Sequence, residues 1–189
     1  GQWGRSESEG GPVPNILTVY TTWTGATRQV AEVIGRTLSE GSMGAQVDVA
    51  PAKVVRDISP YGAVVVGTSV HMGRVPSAVT RFVKRHRQAL RRAPVAYFVV
   101  CLTMAEDTPE NRQQAEGSRD PVRKAAPDVE PVDIGLFAGA VLADTEEFER
   151  LFFGFKPIIR ATAQGLSDER DWDAIRAWAE RLRPALAAQ

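Results

Sequence analysis

Five short apolar runs alternate along this chain with segments whose apolar positions recur every three to four residues. Residues 16–20 (ILTVY) form the first run, which stops at hydroxyl residues and a glycine. A helical stripe of Val30, Ala31, Ile34 and Leu38 follows, ended by Gly41 and Gly44. Residues 46–49 alternate polar and apolar, as a second strand does. Residues 63–66 (AVVV) are wholly apolar, as a parallel strand buried on both faces requires. Pro76 suits the start of the next helix, with Val79, Phe82, Val83, His86 and Leu90 as its buried face. Residues 95–102 and 134–142 read as strands four and five.

Between those last two strands, residues 103–130 are polar, charged and Pro-containing, which predicts a long loop holding at most one short helix. Two helices then close the chain. The first starts near Thr145, with Asp144 as cap and Glu147 three positions on, and Pro157 kinks or ends it. The second carries Trp172, Ile175, Trp178, Ala179 and Leu182 on one face. This alternation predicts a single α/β domain over residues 15–189, built on a doubly wound five-stranded parallel sheet with helices on both faces. Residues 1–14, rich in Gly, Ser and Pro, read as a disordered tail or cloning remnant. Ligands of such sheets sit at the carboxyl ends of the strands, near the switch point. The loops that begin near Thr21, Gly67 and Leu102 are therefore the ones to inspect.

Composition narrows the chemistry. Lys plus Arg and Asp plus Glu number 23 each among 189 residues, so no net field draws in nucleic acid, and none is expected as a partner. One cysteine, Cys101, excludes an intrachain disulfide and a cysteine-cluster metal site, and its apolar neighbours predict a buried, inert thiol. His71 and His86 have no ligand-like spacing to cysteine or carboxylates, and no metal is expected. No apolar stretch reaches the length of a membrane span and no signal pattern opens the sequence, which predicts a cytoplasmic protein.

The first loop, Thr22-Trp23-Thr24-Gly25-Ala26-Thr27, has the chemistry of a phosphate seat. A helix N-terminus offers free N–H groups and the positive end of its dipole. Thr22, Thr24 and Thr27 add hydroxyls, Gly25 allows close backbone approach, and Arg28 either adds charge or points into water. It is neither a Walker loop nor a Gly-x-Gly-x-x-Gly turn. On physics alone, a well-capped Thr-rich turn without ligand stands beside the phosphate reading.

The segment Tyr20, Thr22, Gly25, Thr27, Ala31 and Ile34 resembles the flavodoxin signature, departing from it only at Thr18, where an aliphatic residue is usual. The runs Val66–Gly73, Pro76-Ser77-Ala78, Phe82–His86 and Ala138-Gly139-Ala140, and the pair Asp171-Trp172, are similar to the protoporphyrinogen IX dehydrogenase branch of flavodoxin-like proteins. That resemblance implies FMN as cofactor, two-electron oxidoreductase chemistry on a porphyrinogen-like small molecule, and a quinone acceptor. It implies that Thr68, Ser69, Val70, His71, Met72 and Gly73 line one side of the flavin, and Leu102, Thr103 and Met104 the other. The flavin carries the chemistry, so no catalytic acid or base is assigned. His71 and Met72 replace the usual stacking aromatic. The alternative is an electron-transfer flavodoxin that shuttles electrons between redox protein partners.

Two further features stay open at this level. The stripe Phe148, Leu151, Phe152, Phe155, Ile158 and Ile159, with Phe153 beside it, reads first as a helix covering the sheet. Its other reading is an exposed face for a quinone, a membrane surface (peripheral contact at the inner face) or a second subunit of a homodimer. Arg81, Lys84, Arg85, Arg87, Arg91 and Arg92 form a basic face that is either solvated or meets an anionic substrate or partner.

Overall fold

The computed structural model describes residues 15–41, 45–71, 73–151 and 153–187; the readings of residues 1–14, Gly44, Met72 and Phe152 lie outside them. Strands β1 (Ile16–Thr21), β2 (Val47–Pro51), β3 (Ala63–Ser69), β4 (Val95–Cys101) and β5 (Asp133–Ala138) form one sheet in the order β2-β1-β3-β4-β5. All four pairings are parallel, with β1 in register against both β2 and β3. The chain therefore winds outward from β1 in one direction and from β3 in the other, and the crevice between them opens at their carboxyl ends.

Alternation within each strand builds the two faces. Ile16, Tyr20 and Val65 pack beneath α1 (Ala26–Glu40) and α8 (Trp172–Ala187), whose Ile34, Leu38, Ile175, Trp178 and Leu182 complete that core. Leu17, Val19, Val64 and Val66 point the other way, onto α2 (Ser77–Arg85), α3 (Arg87–Arg91) and α5 (Asp120–Ala125). Phe98 fills the space left by Gly67: a Cβ there would meet the Phe98 ring at 1.9 Å. The Trp178 ring meets Phe98 and Phe137 edge-on, at 6.1 and 5.5 Å. Thr18 lies in the same core between Val49 and Val65, its hydroxyl buried and without a partner.

Four details differ from the sequence reading. The helix after Pro76 is two helices, because the backbone at His86 (φ −101°, ψ 14°) leaves helical geometry; Val79, Phe82, Val83, His86 and Leu90 are all buried as expected. Residues 103–130 are more regular than a loop, holding α4 (Pro109–Gly117) as well as α5. A Thr108 hydroxyl that accepts the Asn111 N–H, and Pro109 at the first turn, start α4. The fifth strand stops at Ala138, where Gly139 N–H donates to the Cys101 carbonyl and the chain turns toward β1.

The largest correction concerns the apolar stripe after Thr145. It is not one helix but α6 (Glu146–Glu149), a 3₁₀ turn (Phe153–Phe155) and α7 (Lys156–Gly165), with Pro157 in the first turn of α7, where its missing N–H costs nothing. Phe148 and Ile159 are buried, whereas Phe153 is 83% and Ile158 65% exposed. Among the described residues, no helix is long and apolar enough to cross a membrane.

Candidate functional site

Between β1 and α1 the chain has four residues in which to reverse direction. The Thr22 hydroxyl accepts the Gly25 N–H at 3.0 Å, closing the turn. Gly25 sits at φ +101°, and a Cβ there would lie 2.7 Å from a Glu147 carboxylate oxygen. The positive φ is what calls for glycine, since the Glu147 carboxylate is the end of a flexible side chain. Helix α1 then begins with no side-chain cap and no acidic residue in its first turn. Gln29 N–H reaches the Gly25 carbonyl at 3.1 Å, while the N–H groups ahead of it have no intrahelical acceptor. An uncapped, largely buried helix start attracts an anion.

Thr24 is tied to the segment that follows β5. Its hydroxyl accepts the Leu142 N–H at 3.1 Å, and its carbonyl accepts the Thr145 hydroxyl at 2.5 Å. The Thr145 hydroxyl in turn accepts the Phe148 N–H at 3.2 Å, so Thr145, not Asp144, caps α6. Glu147 is consequently not held in a capping box. It accepts from Arg28 Nε at 2.5 Å, and Arg28 Nη1 also reaches Glu32 at 3.1 Å. Burial, the largest single influence, raises the Glu147 carboxyl, but the Arg28 bond, a bond from its own backbone N–H and the charges of Arg28 and Arg150 together outweigh it and hold the group below its ordinary value. Arg28 thus belongs to an ion pair walling the loop.

Behind this loop lies a cavity of about 40 Å³ lined by Thr22, Trp23, Thr24, Ala26, Thr27, Ser69, Val70, His71 and Leu102. Nine of the fifteen residues singled out from sequence therefore converge. Gly25 shapes the turn without lining the cavity. Thr68 does not line it either: its hydroxyl lies 3.0 Å from that of Thr21. Gly73 and Thr103 are outside the lining, and Met104 is buried against Val99, Cys101 and Ala115. Met72 lies outside the described residues. Burial pushes the Cys101 thiol up, in keeping with an inert sulfur.

The sequence reading missed Gly139, Ala140 and Val141, which form the remaining wall together with Val100 and Cys101. Their signal was present in the small-residue run at the end of β5, quoted for resemblance but not assigned to the site. The Ser69 hydroxyl is buried beside the cavity and has no partner. Trp23 and His71 stack with ring centroids 3.7 Å apart, joining the first loop to the second. The space is well below the several hundred Å³ of a small-molecule site, so a ring system enters only if this stack parts.

The fold and this seat define a doubly wound α/β protein with an anion-attracting loop at its topological switch point. The chain belongs to the flavodoxin domain family, whose profile matches residues 17–163. It is 26% identical over 174 residues to a Leishmania major protein named protoporphyrinogen IX dehydrogenase (quinone), covering 88% of this chain and 73% of that one. A protein of the same name from Escherichia coli K12 is 34% identical over 98 residues, which is 51% of this chain and only about half, 52%, of the relative's length. Among solved structures, the Fusobacterium nucleatum flavodoxin bound to flavin mononucleotide has a TM-score of 0.51 at 12% identity, covering 92% of this chain and 99% of that one. The two-electron reduced Megasphaera elsdenii flavodoxin has a TM-score of 0.50 at 15% identity over 79% and 98% of the two chains. These two likenesses establish the fold.

Proposed function

We propose that this chain binds FMN with its phosphate at the start of α1 and acts as an oxidoreductase of the protoporphyrinogen-dehydrogenase kind, passing electrons to a quinone. The observation that carries the reading is the uncapped start of α1 beneath Gly25, where N–H groups and the Thr22 and Thr27 hydroxyls surround one small cavity. The donor set fits a phosphate: neutral donors, a helix dipole, and no carboxylate on the cavity lining. The orphaned Ser69 hydroxyl supplies one more donor on the side where the rest of the cofactor would lie.

The cofactor supplies the hydride and electron chemistry; the chain supplies orientation and electrostatics. Thr22 and Thr27 hold the phosphate, and the Ser69–His71 and Leu102 segments flank the ring. The backbone of Ser69, Val70, His71 and Leu102 would offer groups to ring atoms, and Trp23 with His71 would screen the seat from water. The named relatives support a porphyrinogen-like substrate. An electron-transfer role is the second reading, favoured by the likeness to carrier flavodoxins. Anaerobic reductive titration separates them: the enzyme reading expects both electrons to be taken up in one step, and two well-separated one-electron steps would favour the carrier. Oxidation of protoporphyrinogen IX coupled to reduction of a menaquinone analogue is the direct assay, and no turnover by the FMN-loaded protein contradicts the enzyme reading.

A further inference from the structure

The basic residues around α2 do not form one solvated face. Arg87 and Arg91 both pair with Asp128, at 2.6 and 3.1 Å. Arg81 and Arg85 instead join Lys53 and Arg56 around a separate cleft of about 380 Å³, whose floor is Phe82 and His86. Among the described residues none of these four cations is ion-paired. His86 is 9% exposed, its ring rests on Phe82 at 4.7 Å, and its Nε2 is buried without a partner. The nearby acid is Asp57, and its carboxylate is engaged by the Ser59 N–H and hydroxyl, each at 2.9 Å. All four cations are exposed and free to turn to a ligand, and the buried His86 imidazole is the polar group of the cleft left unsatisfied.

The cleft continues toward the phosphate loop. Ala52, Lys53 and Ala78 also line a second cavity of about 270 Å³, which runs to Tyr20 and Trp23. One end of this groove is therefore cationic and the other aromatic, with Lys53 between them. Arginine forks match phosphate oxygens in pairs. A phosphate monoester carries about 1.5 to 2 negative charges, against one for a carboxylate, so four cations are better matched by phosphates.

We infer that this groove is a second ligand site, which meets the cavity behind Thr22–Thr27 only at Thr22 and Trp23, and that it takes a nucleoside diphosphate or a molecule with the same pairing of diphosphate and flat ring. The diphosphate lies among Arg56, Arg81, Arg85 and His86, and the ring lies against Tyr20 and Trp23.

The test is calorimetric titration of the full chain with inorganic pyrophosphate and with ADP at low ionic strength, repeated after loading with one equivalent of FMN. Pyrophosphate should bind with or without FMN, so failure of the FMN reading would leave this one standing. The double variant Arg81→Ala/Arg85→Ala should bind at least about tenfold more weakly. The double variant Arg87→Ala/Arg91→Ala, which removes two arginines of the neighbouring α3 outside the cleft, should bind as the native chain does. On pyrophosphate binding the imidazole signals of His86 should shift and those of His71, the other histidine of the chain, should not. ADP should bind more tightly than pyrophosphate. Absent pyrophosphate binding, equal losses in the two double variants, or citrate binding as tightly as pyrophosphate would overturn the phosphate assignment. ADP binding no tighter than pyrophosphate would overturn the ring seat.

Discussion

Arg28 in the first turn of α1 and Glu147 in α6 are 119 positions apart, yet they share a hydrogen-bonded ion pair at 2.5 Å that closes one side of the phosphate loop. With the Thr145–Thr24 bond, this pair fastens the segment after β5 onto the loop after β1. Replacing Glu147 with Gln should cost about 1 kcal/mol of stability, as a half-buried charged hydrogen bond is lost. It should also remove a negative charge beside the seat, leaving Arg28 paired with Glu32 alone, and tighten FMN by about fivefold. Urea unfolding and FMN titration of E147Q check the two halves separately. The acid limb carries a third sign. Because the folded Glu147 carboxyl is held below its ordinary value, its contribution is fully present above about pH 4.3 and is lost as pH falls through the folded value. Stability of E147Q should therefore fall less than that of the native chain on acidification from pH 7 to 3.

Thr22→Ala and Thr27→Ala should each weaken FMN by about 1 kcal/mol, close to fivefold. Thr22 should also lower thermal stability slightly, because its hydroxyl accepts the Gly25 N–H that closes the turn. Fluorescence titration of each variant reads the affinity, and unchanged binding in both contradicts this phosphate position.

Thr18 is the residue that departs from the flavodoxin pattern, and its hydroxyl is buried with no partner. Valine has nearly the same shape and no polar atom to satisfy. Thr18→Val should stabilise the fold by about 1 kcal/mol or more, read as a raised urea midpoint at unchanged slope.

The aromatic residues of the 145–159 region should separate into two classes. Phe148 is fully buried, and Phe148→Ala should cost about 3–5 kcal/mol. Phe153→Ala, at an 83% exposed position, should change stability by less than about 0.5 kcal/mol. Denaturant unfolding of the two variants distinguishes a core helix from an exposed one.

The same contrast marks where the sequence was legible. Residues 63–66 and 95–101 are apolar on every position, and only a strand buried on both faces uses them all, so the parallel sheet could be read directly. The Thr22–Thr27 turn could be read because its hydroxyls and glycine are adjacent in sequence. The stripe from Phe148 to Ile159 has helical spacing, but Gly154 and Pro157 divide it, and spacing alone does not say which apolar residues find a surface to cover. The Arg28–Glu147 pair, the Thr24–Leu142 tie and the wall at Gly139–Val141 depend on β5 returning beside β4, and no local pattern encodes such long-range partners.

The central claim is that the start of α1 seats the phosphate of FMN. The purified chain, incubated with FMN and freed of excess by gel filtration, should carry about one equivalent of flavin and its yellow absorption. Riboflavin, which lacks the phosphate, should bind far more weakly. A colourless chain with no FMN affinity on titration, or riboflavin bound as tightly as FMN, would contradict the account.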